Sequence, residues 1–325
     1  MTTGVVIGKF YPPHLGHSHL IDEALKQCDQ LTVIVCDHPD QKIPGSLRGQ
    51  WLRELHPTAT VIVTPDDLPD APEPWAARTM LLMGGAPTFV FTSEDYGPEY
   101  ARQMGSSHIL VDRDRVHVPI SATQIRENPY AHWQYLPEPV RAWFCLRVIL
   151  IGVESTGKTT LSEALARELD TVWVPEYGRE YTYKVLERAD PTWVSEDFVE
   201  IAREQVRQEN EAARHAKRVL IGDTDAFATG VWHERYMEAR SAETEALGDS
   251  VRADLYILTV ADFPFVQDGI RDGEHIREWM HQRFLERLGE RAVPVIEVSG
   301  PHEERLARSV AAVERLIESN PRMSR

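Results

Sequence analysis

Twice in this chain a short β-branched run leads into a glycine-containing loop and then into a helical stretch. Val5-Val6-Ile7 precedes Gly8-Lys9-Phe10-Tyr11-Pro12-Pro13-His14-Leu15-Gly16-His17, and Arg147-Val148-Ile149-Leu150-Ile151 precedes Gly152-Val153-Glu154-Ser155-Thr156-Gly157-Lys158-Thr159. A strand that ends this way delivers its loop to the carboxyl edge of a parallel sheet, where open α/β folds bind their ligands. The 325 residues exceed what one hydrophobic core usually covers. The spacing of the two loops therefore predicts two domains, residues 1–145 and 146–325.

The rest of the pattern agrees with that division. In the first half, apolar runs at 4–8, 31–36, 60–63, 88–92 and 108–110 alternate with helical stretches near 17–27, 45–55 and 75–82. The rhythm restarts with runs at 148–151, 171–174, 219–222, 255–259 and 295–298, and with helical stretches near 158–169, 195–217, 273–288 and 303–317. This βαβα order implies two doubly wound α/β domains, each with a parallel sheet. Pro129, Pro137 and Pro139 interrupt regular structure between them and mark the boundary near Leu146.

Composition narrows the function classes. A formal net charge of −16 opposes docking on nucleic acid, whose phosphates call for clustered Lys and Arg. No apolar stretch approaches the ~20 residues of a membrane span, and Met1-Thr2-Thr3-Gly4 runs into the first strand without a secretory leader. The expectation is a cytoplasmic protein with small-molecule partners and no nucleic-acid or membrane partner. Self-association is left open. Cys28, Cys36 and Cys145 lack metal-site spacing and read as reduced, structural thiols.

His14 and His17 bracket Gly16 at the end of the first strand, where a helix amino terminus offers unpaired N–H groups to an anion. Two imidazoles there can bind the phosphates of a nucleoside triphosphate and stabilise charge during attack on the α-phosphorus. Lys9 adds a cation beside the leaving pyrophosphate, and Gly8, Phe10 and Gly16 complete the loop. Ile120-Ser121-Ala122-Thr123-Gln124-Ile125-Arg126 offers two hydroxyls and a guanidinium, so Ser121, Thr123 and Arg126 are further phosphate ligands.

These two elements resemble the H/T-x-G-H nucleotidylyltransferases, particularly their nicotinamide mononucleotide adenylyltransferase branch. The resemblance implies a Rossmann-like domain that transfers AMP from Mg-ATP to a nucleotide phosphate. It also implies that Ser93, Glu94 and Tyr96, in a loop at a later strand end, face substrate, together with Arg48 and Trp51 on a nucleotide-facing helix.

The second loop fits G-x-x-x-x-G-K-[ST] in full, between a strand and a helix. The backbone of Gly152, Glu154, Ser155, Thr156 and Gly157 should cradle ATP phosphates, with Lys158 bridging them and Thr159 and Thr160 at the helix start. Val219-Leu220-Ile221-Gly222-Asp223-Thr224-Asp225 is an apolar strand ending in acids. Asp223 joins Thr159 as the candidate Mg²⁺ residue and Asp225 is a candidate substrate contact. Pro175-Glu176-Tyr177-Gly178-Arg179-Glu180-Tyr181 can supply a carboxylate, a ring and a guanidinium to an acceptor hydroxyl, through Glu176, Tyr177 and Arg179. Asp262–Arg271 reads as a lid whose Arg271 reaches transferred phosphate, and Ser299–Arg305 as a support for adenine.

The second set, and the order of the two halves, resembles the bifunctional NadR-type family, in which an adenylyltransferase is fused to a ribosylnicotinamide P-loop kinase. The resemblance covers residues 4 to 317. It implies an enzyme that phosphorylates nicotinamide riboside and then adenylylates the product to NAD, with ATP and Mg²⁺ as cofactors. Many relatives begin with a helix-turn-helix segment, for which there is no room before Gly4, and their lids commonly read Pro-Trp where Pro264-Phe265 stands. Two readings compete with it: the same two activities on another ribonucleoside or phosphorylated vitamin, and a regulatory protein that senses ATP or NAD without turnover.

Overall fold

The computed structural model describes residues 1–251, 253–266 and 274–319. The chain divides into two compact units, Met1–Val140 and Arg141–Arg325.

The first unit contains β1 (Thr3–Gly8), α1 (Leu15–Leu25), β2 (Gln30–Asp37), α2 (Gly45–Leu55), β3 (Thr60–Pro65), α3 (Pro72–Met83), β4 (Phe89–Thr92), α4 (Gly97–Met104), β5 (Ser107–Leu110) and α5 (Ala122–Glu127). Its strands form a parallel sheet in the order β3-β2-β1-β4-β5. Adjacent residues of one strand enter different cores, as the two-residue period requires. Val6, Val33 and Val35 pack with Leu20, Ile21 and Ala24 of α1, whereas Val5, Ile34 and Val90 pack with Ala76 of α3 and Tyr100 and Met104 of α4. With both faces covered by helices the strands read as continuous apolar runs. Strand order reverses between β1 and β4, so the crevice beyond their carboxyl ends receives the Gly8–His17 loop and the loop that begins at Ser93.

Proline does not unravel the segment before the second unit. Pro139 lies in the first turn of α6 (Glu138–Phe144), where its missing N–H breaks no helical bond, and Tyr130, Trp133, Leu136 and Val140 are buried.

The second unit follows with β6 (Leu146–Ile151), α7 (Lys158–Glu168), β7 (Val172–Val174), α8 (Tyr177–Leu186), α9 (Ser195–His215), β8 (Val219–Asp223), α10 (Ala226–Met237), α11 (Ala242–Ser250), β9 (Leu255–Thr259), α12 (Arg277–Gly289), β10 (Val295–Val298) and α13 (His302–Glu318). The parallel order is β10-β9-β6-β8-β7. Every residue of β6 is buried, and β6 lies beside β8, which places the phosphate loop next to Asp223. Among the described residues no helix is long and apolar enough to cross a membrane.

Candidate active sites

In the first unit the histidine pair is built by helix capping. His14 is the N-cap of α1, and its Nδ1 accepts hydrogen bonds from the N–H groups of Gly16 (3.1 Å) and His17 (3.3 Å). His17 Nδ1 in turn accepts from His14 N–H at 3.3 Å, and the rings stack with centroids 3.7 Å apart. An Nδ1 that accepts leaves the proton of a neutral imidazole on Nε2, so both rings are Nε2–H donors. Burial pushes His14 down to about 3, and burial with the neighbouring His14 and Arg115 pushes His17 well below its ordinary value. The expectation of bare N–H groups at this helix start needs correction: Gly16 and His17 N–H are taken by imidazole nitrogen, and the imidazoles carry the donor function. Gly16 is required by the ring above it, since a Cβ there would lie 2.9 Å from His14 Cε1.

The late element reaches this loop through Arg126. Its guanidinium donates to the Tyr11 carbonyl at 2.6 Å and to Thr123 Oγ1 at 2.9 Å, and it lies over the Tyr11 ring. Ser121 caps α5, accepting from Gln124 N–H and donating to Gln124 Oε1, while Thr123 is exposed. Lys9 pairs with Asp66 at 3.2 Å and Phe10 is buried. Gly8 closes β1. Tyr96 donates to the Ile7 carbonyl at 3.3 Å, and Ser93 lies next to Glu94 in the same loop.

Arg48 does not face a ligand. It is fully buried and all five of its N–H groups are engaged: by the carbonyls of Ile43 (3.0 Å), Lys9 and Cys36 (3.2 Å), by Asp37 (2.6 Å) and by Gln41 (2.5 Å). It ties the loop after β1 to the loop after β2. Trp51 on the same helix is 5% exposed and belongs to the interior. A cation that sequence reasoning passed over is Arg115. It sits in a loop folded around Asp112, whose carboxylate accepts from the N–H groups of Val116, His117 and Val118, and it pairs with Glu94 at 3.2 Å.

In the second unit a cavity of about 380 Å³ is lined by Glu154–Thr160, Glu176, Arg179 and a set of aromatic rings. Gly152, at φ +144°, abuts β9 so closely that a Cβ would lie 2.5 Å from Thr259 Oγ1. Ser155 and Gly157 are also left-handed, and this alternation forms a concave nest of N–H groups. Thr156 Oγ1 donates to the Val153 carbonyl (2.9 Å), and Lys158 Nζ donates to the same carbonyl (2.9 Å). Thr159 Oγ1 donates to Asp223 Oδ2 at 2.5 Å, whereas the buried Asp223 Oδ1 has no hydrogen-bond partner among the described residues. A buried, unpaired carboxylate oxygen beside the Thr159 hydroxyl fits a hard cation held between loop and phosphates. Burial raises the Asp223 carboxyl above its usual range. Glu176, also desolvated and facing Asp223 and Lys158, is pushed up to about 7.

Two residues placed by sequence at the substrate serve the fold instead. Asp225 is 4% exposed and is the N-cap of α10: Oδ1 accepts from Ala228 N–H (2.8 Å) and Oδ2 from the Tyr256 hydroxyl (2.7 Å). Tyr177 lies on the interior stripe of α8 with Tyr181 and Val185, its hydroxyl accepting from Lys184 Nζ at 2.7 Å. The other stripe, Gly178, Arg179, Thr182 and Leu186, lines the cavity. Its rings come from elsewhere. Trp193, Phe198, Trp232 and Tyr236 line it, with Trp193 to Phe198 at 5.2 Å and Trp193 to Tyr236 at 5.5 Å between centroids. The sole local signal for them was the i, i+4 pair Trp232 and Tyr236.

The described part of the expected lid leans on the phosphate loop: Val266 N–H donates to Ser155 Oγ at 2.8 Å. Arg271, with Gly269, lies outside the described residues.

Known families match each of the two units. Residues 5–128 match the cytidylyltransferase-like family model and residues 147–305 an AAA domain model. The chain is similar, at 31% identity in both cases, to the trifunctional NAD biosynthesis/regulator protein NadR of Salmonella typhimurium strain LT2 and to that of Escherichia coli strain K12. Each alignment covers 97% of this chain and 83% of the relative. Its fold is similar to a NadR protein crystallised with NR, at TM-score 0.81, 24% identity and coverage of 98% of this chain and 96% of the other. A NadR structure with NAD and AMP-PNP gives TM-score 0.78, 24% identity and coverage of 97% and 96%. On sequence similarity across nearly its whole length, this α/β chain, which joins a nucleotidylyltransferase-like unit to a phosphate-loop unit, belongs to the NadR family of NAD biosynthesis proteins.

Proposed function

We propose that this chain makes NAD in two ATP-dependent steps, with phosphorylation of nicotinamide riboside assigned to residues 146–325 and adenylyl transfer to the resulting mononucleotide assigned to residues 1–145. The observation that carries this reading is the cavity in which the phosphate loop, Glu176, Arg179 and four aromatic side chains meet. The riboside carries a planar cationic ring, which electron-rich aromatic faces attract, and Trp193, Phe198, Trp232 and Tyr236 supply such faces. Glu176, at about 7, accepts the proton of the riboside hydroxyl as that oxygen bonds to the γ-phosphorus and ADP departs. Lys158 follows the transferring charge. Thr159 and Asp223 would hold Mg²⁺, which when bound neutralises phosphate charge.

In the first unit a phosphate oxygen of the mononucleotide attacks the α-phosphorus of ATP and the bond to the bridging oxygen breaks, releasing pyrophosphate. The His14 and His17 Nε2–H groups donate to the oxygens on which charge accumulates, and Arg126, Thr123, Lys9 and Arg115 line the same loop cluster. No covalent intermediate is needed. Cytoplasmic residence and the lack of nucleic-acid and membrane partners belong to the same reading, in keeping with the net charge of −16.

The test is product formation from ATP plus nicotinamide riboside, and separately from ATP plus nicotinamide mononucleotide. Lys158→Ala should abolish the first reaction and spare the second, and His17→Ala should do the reverse. A protein that consumes neither substrate while still binding ATP or NAD is the nucleotide sensor.

A further inference from the structure

Two consecutive carbonyls of the second unit's phosphate loop are each held by an arginine from far along the chain. Arg277 Nη2 donates to the Ser155 carbonyl at 3.3 Å, and its Nη1 to the Phe263 carbonyl at 3.0 Å. Arg305 Nη1 donates to the Thr156 carbonyl at 3.0 Å. Arg305 is 2% exposed and its other donors reach the Gly300 carbonyl (2.8 Å), the Val260 carbonyl (3.3 Å) and Asp262. It thereby links the loop to the ends of β9 and β10.

A trans peptide is planar, with C=O and N–H pointing in opposite directions. Fixing the Ser155 and Thr156 carbonyls on the arginine side therefore aims the N–H groups of Thr156 and Gly157 to the other side. Among the described residues the Gly157 N–H donates no backbone hydrogen bond, and the Thr156 N–H makes only a loose one, across the Glu154–Ser155 turn. A cation on the carbonyl oxygen also polarises the peptide and makes its N–H a stronger donor. We propose that Arg277 and Arg305 are positioning residues of the kinase site: they act through the loop backbone, orienting and polarising the Thr156 and Gly157 N–H groups that bind nucleotide phosphate. This assignment rests on the kinase reading above.

The decisive variant is Arg277→Met, because Arg277 is only partly buried and its loss spares the interior. Losing a charged hydrogen bond to the loop backbone leaves its N–H groups less well aimed, so the KM for ATP in riboside phosphorylation should rise ~10-fold or more. The same preparation should form NAD from ATP and mononucleotide at the wild-type rate, which reports an intact fold. Titration with ADP, followed by amide NMR, should shift the Thr156 and Gly157 resonances less than in the wild type. Arg305→Lys keeps the charge but a single ammonium cannot span four acceptors, so its KM should also rise. An unchanged KM for ATP in Arg277→Met, or a fall in kcat alone, overturns the proposal, as do wild-type amide shifts with ADP. If the wild type fails to phosphorylate the riboside, the kinase reading has failed instead, and the ADP titration still decides the arginines' role.

Discussion

Replacing Glu176 by Gln isolates one proton. With the carboxyl pushed up to about 7, only about one-tenth of the wild-type enzyme holds Glu176 ionised at pH 6, and about nine-tenths at pH 8. A base must be ionised to accept the riboside hydroxyl proton, so the phosphorylation rate should rise roughly tenfold between those pH values, with a one-proton slope below pH 7. The profile should be read as kcat/KM, which reports the free enzyme in which Lys158 and Asp223 face this carboxyl. Glu176→Gln removes the acceptor, so the plateau should drop by about 10²–10⁴-fold and the acidic limb should vanish. Adenylyl transfer by the same variant is the control, because His14 stays neutral far below this window, at about 3. A wild-type profile flat from pH 6 to 8, or a Gln variant that keeps its plateau, refutes the assignment of Glu176 as base.

Gly16→Ala puts a methyl 2.9 Å from His14 Cε1 and 3.0 Å from Nδ1, which displaces the ring and its two capping bonds. Adenylyl transfer should fall by about 10²-fold with riboside phosphorylation unchanged in a paired assay. Asp225→Ala removes a helix cap and leaves the Tyr256 hydroxyl unpaired, a loss of about 2–4 kcal/mol visible in urea unfolding, with little change in the KM values of the protein that remains folded. Trp232→Ala should raise the KM for nicotinamide riboside about tenfold and leave that for ATP alone.

What could be read in advance follows from distance along the chain. The histidine pair and the G-x-x-x-x-G-K-[ST] loop are contiguous, and their backbone shape follows from glycines and caps a few residues away, so pattern and structure agree. Arg48, Asp225 and Tyr177 were harder. Residue type said that a guanidinium, a carboxylate and a phenol stood near a strand end, but not which way each faced. Arg48 faces five acceptors, and Asp225 caps its own helix under Tyr256. The helical period of α8 separates Tyr177 from Arg179 even though they stand two positions apart. The prolines before Leu146 pointed to a break in regular structure, yet Pro139 lies inside a helix and Trp133, Leu136 and Val140 are buried there.

The amino-acid order alone settled that there are two parallel α/β units, each presenting a phosphate loop at a strand end, because strand, turn and helix start are local and glycine, proline and cap chemistry encode them. Folding in three dimensions decided which side chains surround those loops. Trp193, Phe198, Trp232 and Tyr236 become one ring-lined wall, and Arg277 and Arg305 arrive on Ser155 and Thr156 from over a hundred positions away. Such meetings depend on strand order and helix facing, which no short window of sequence contains.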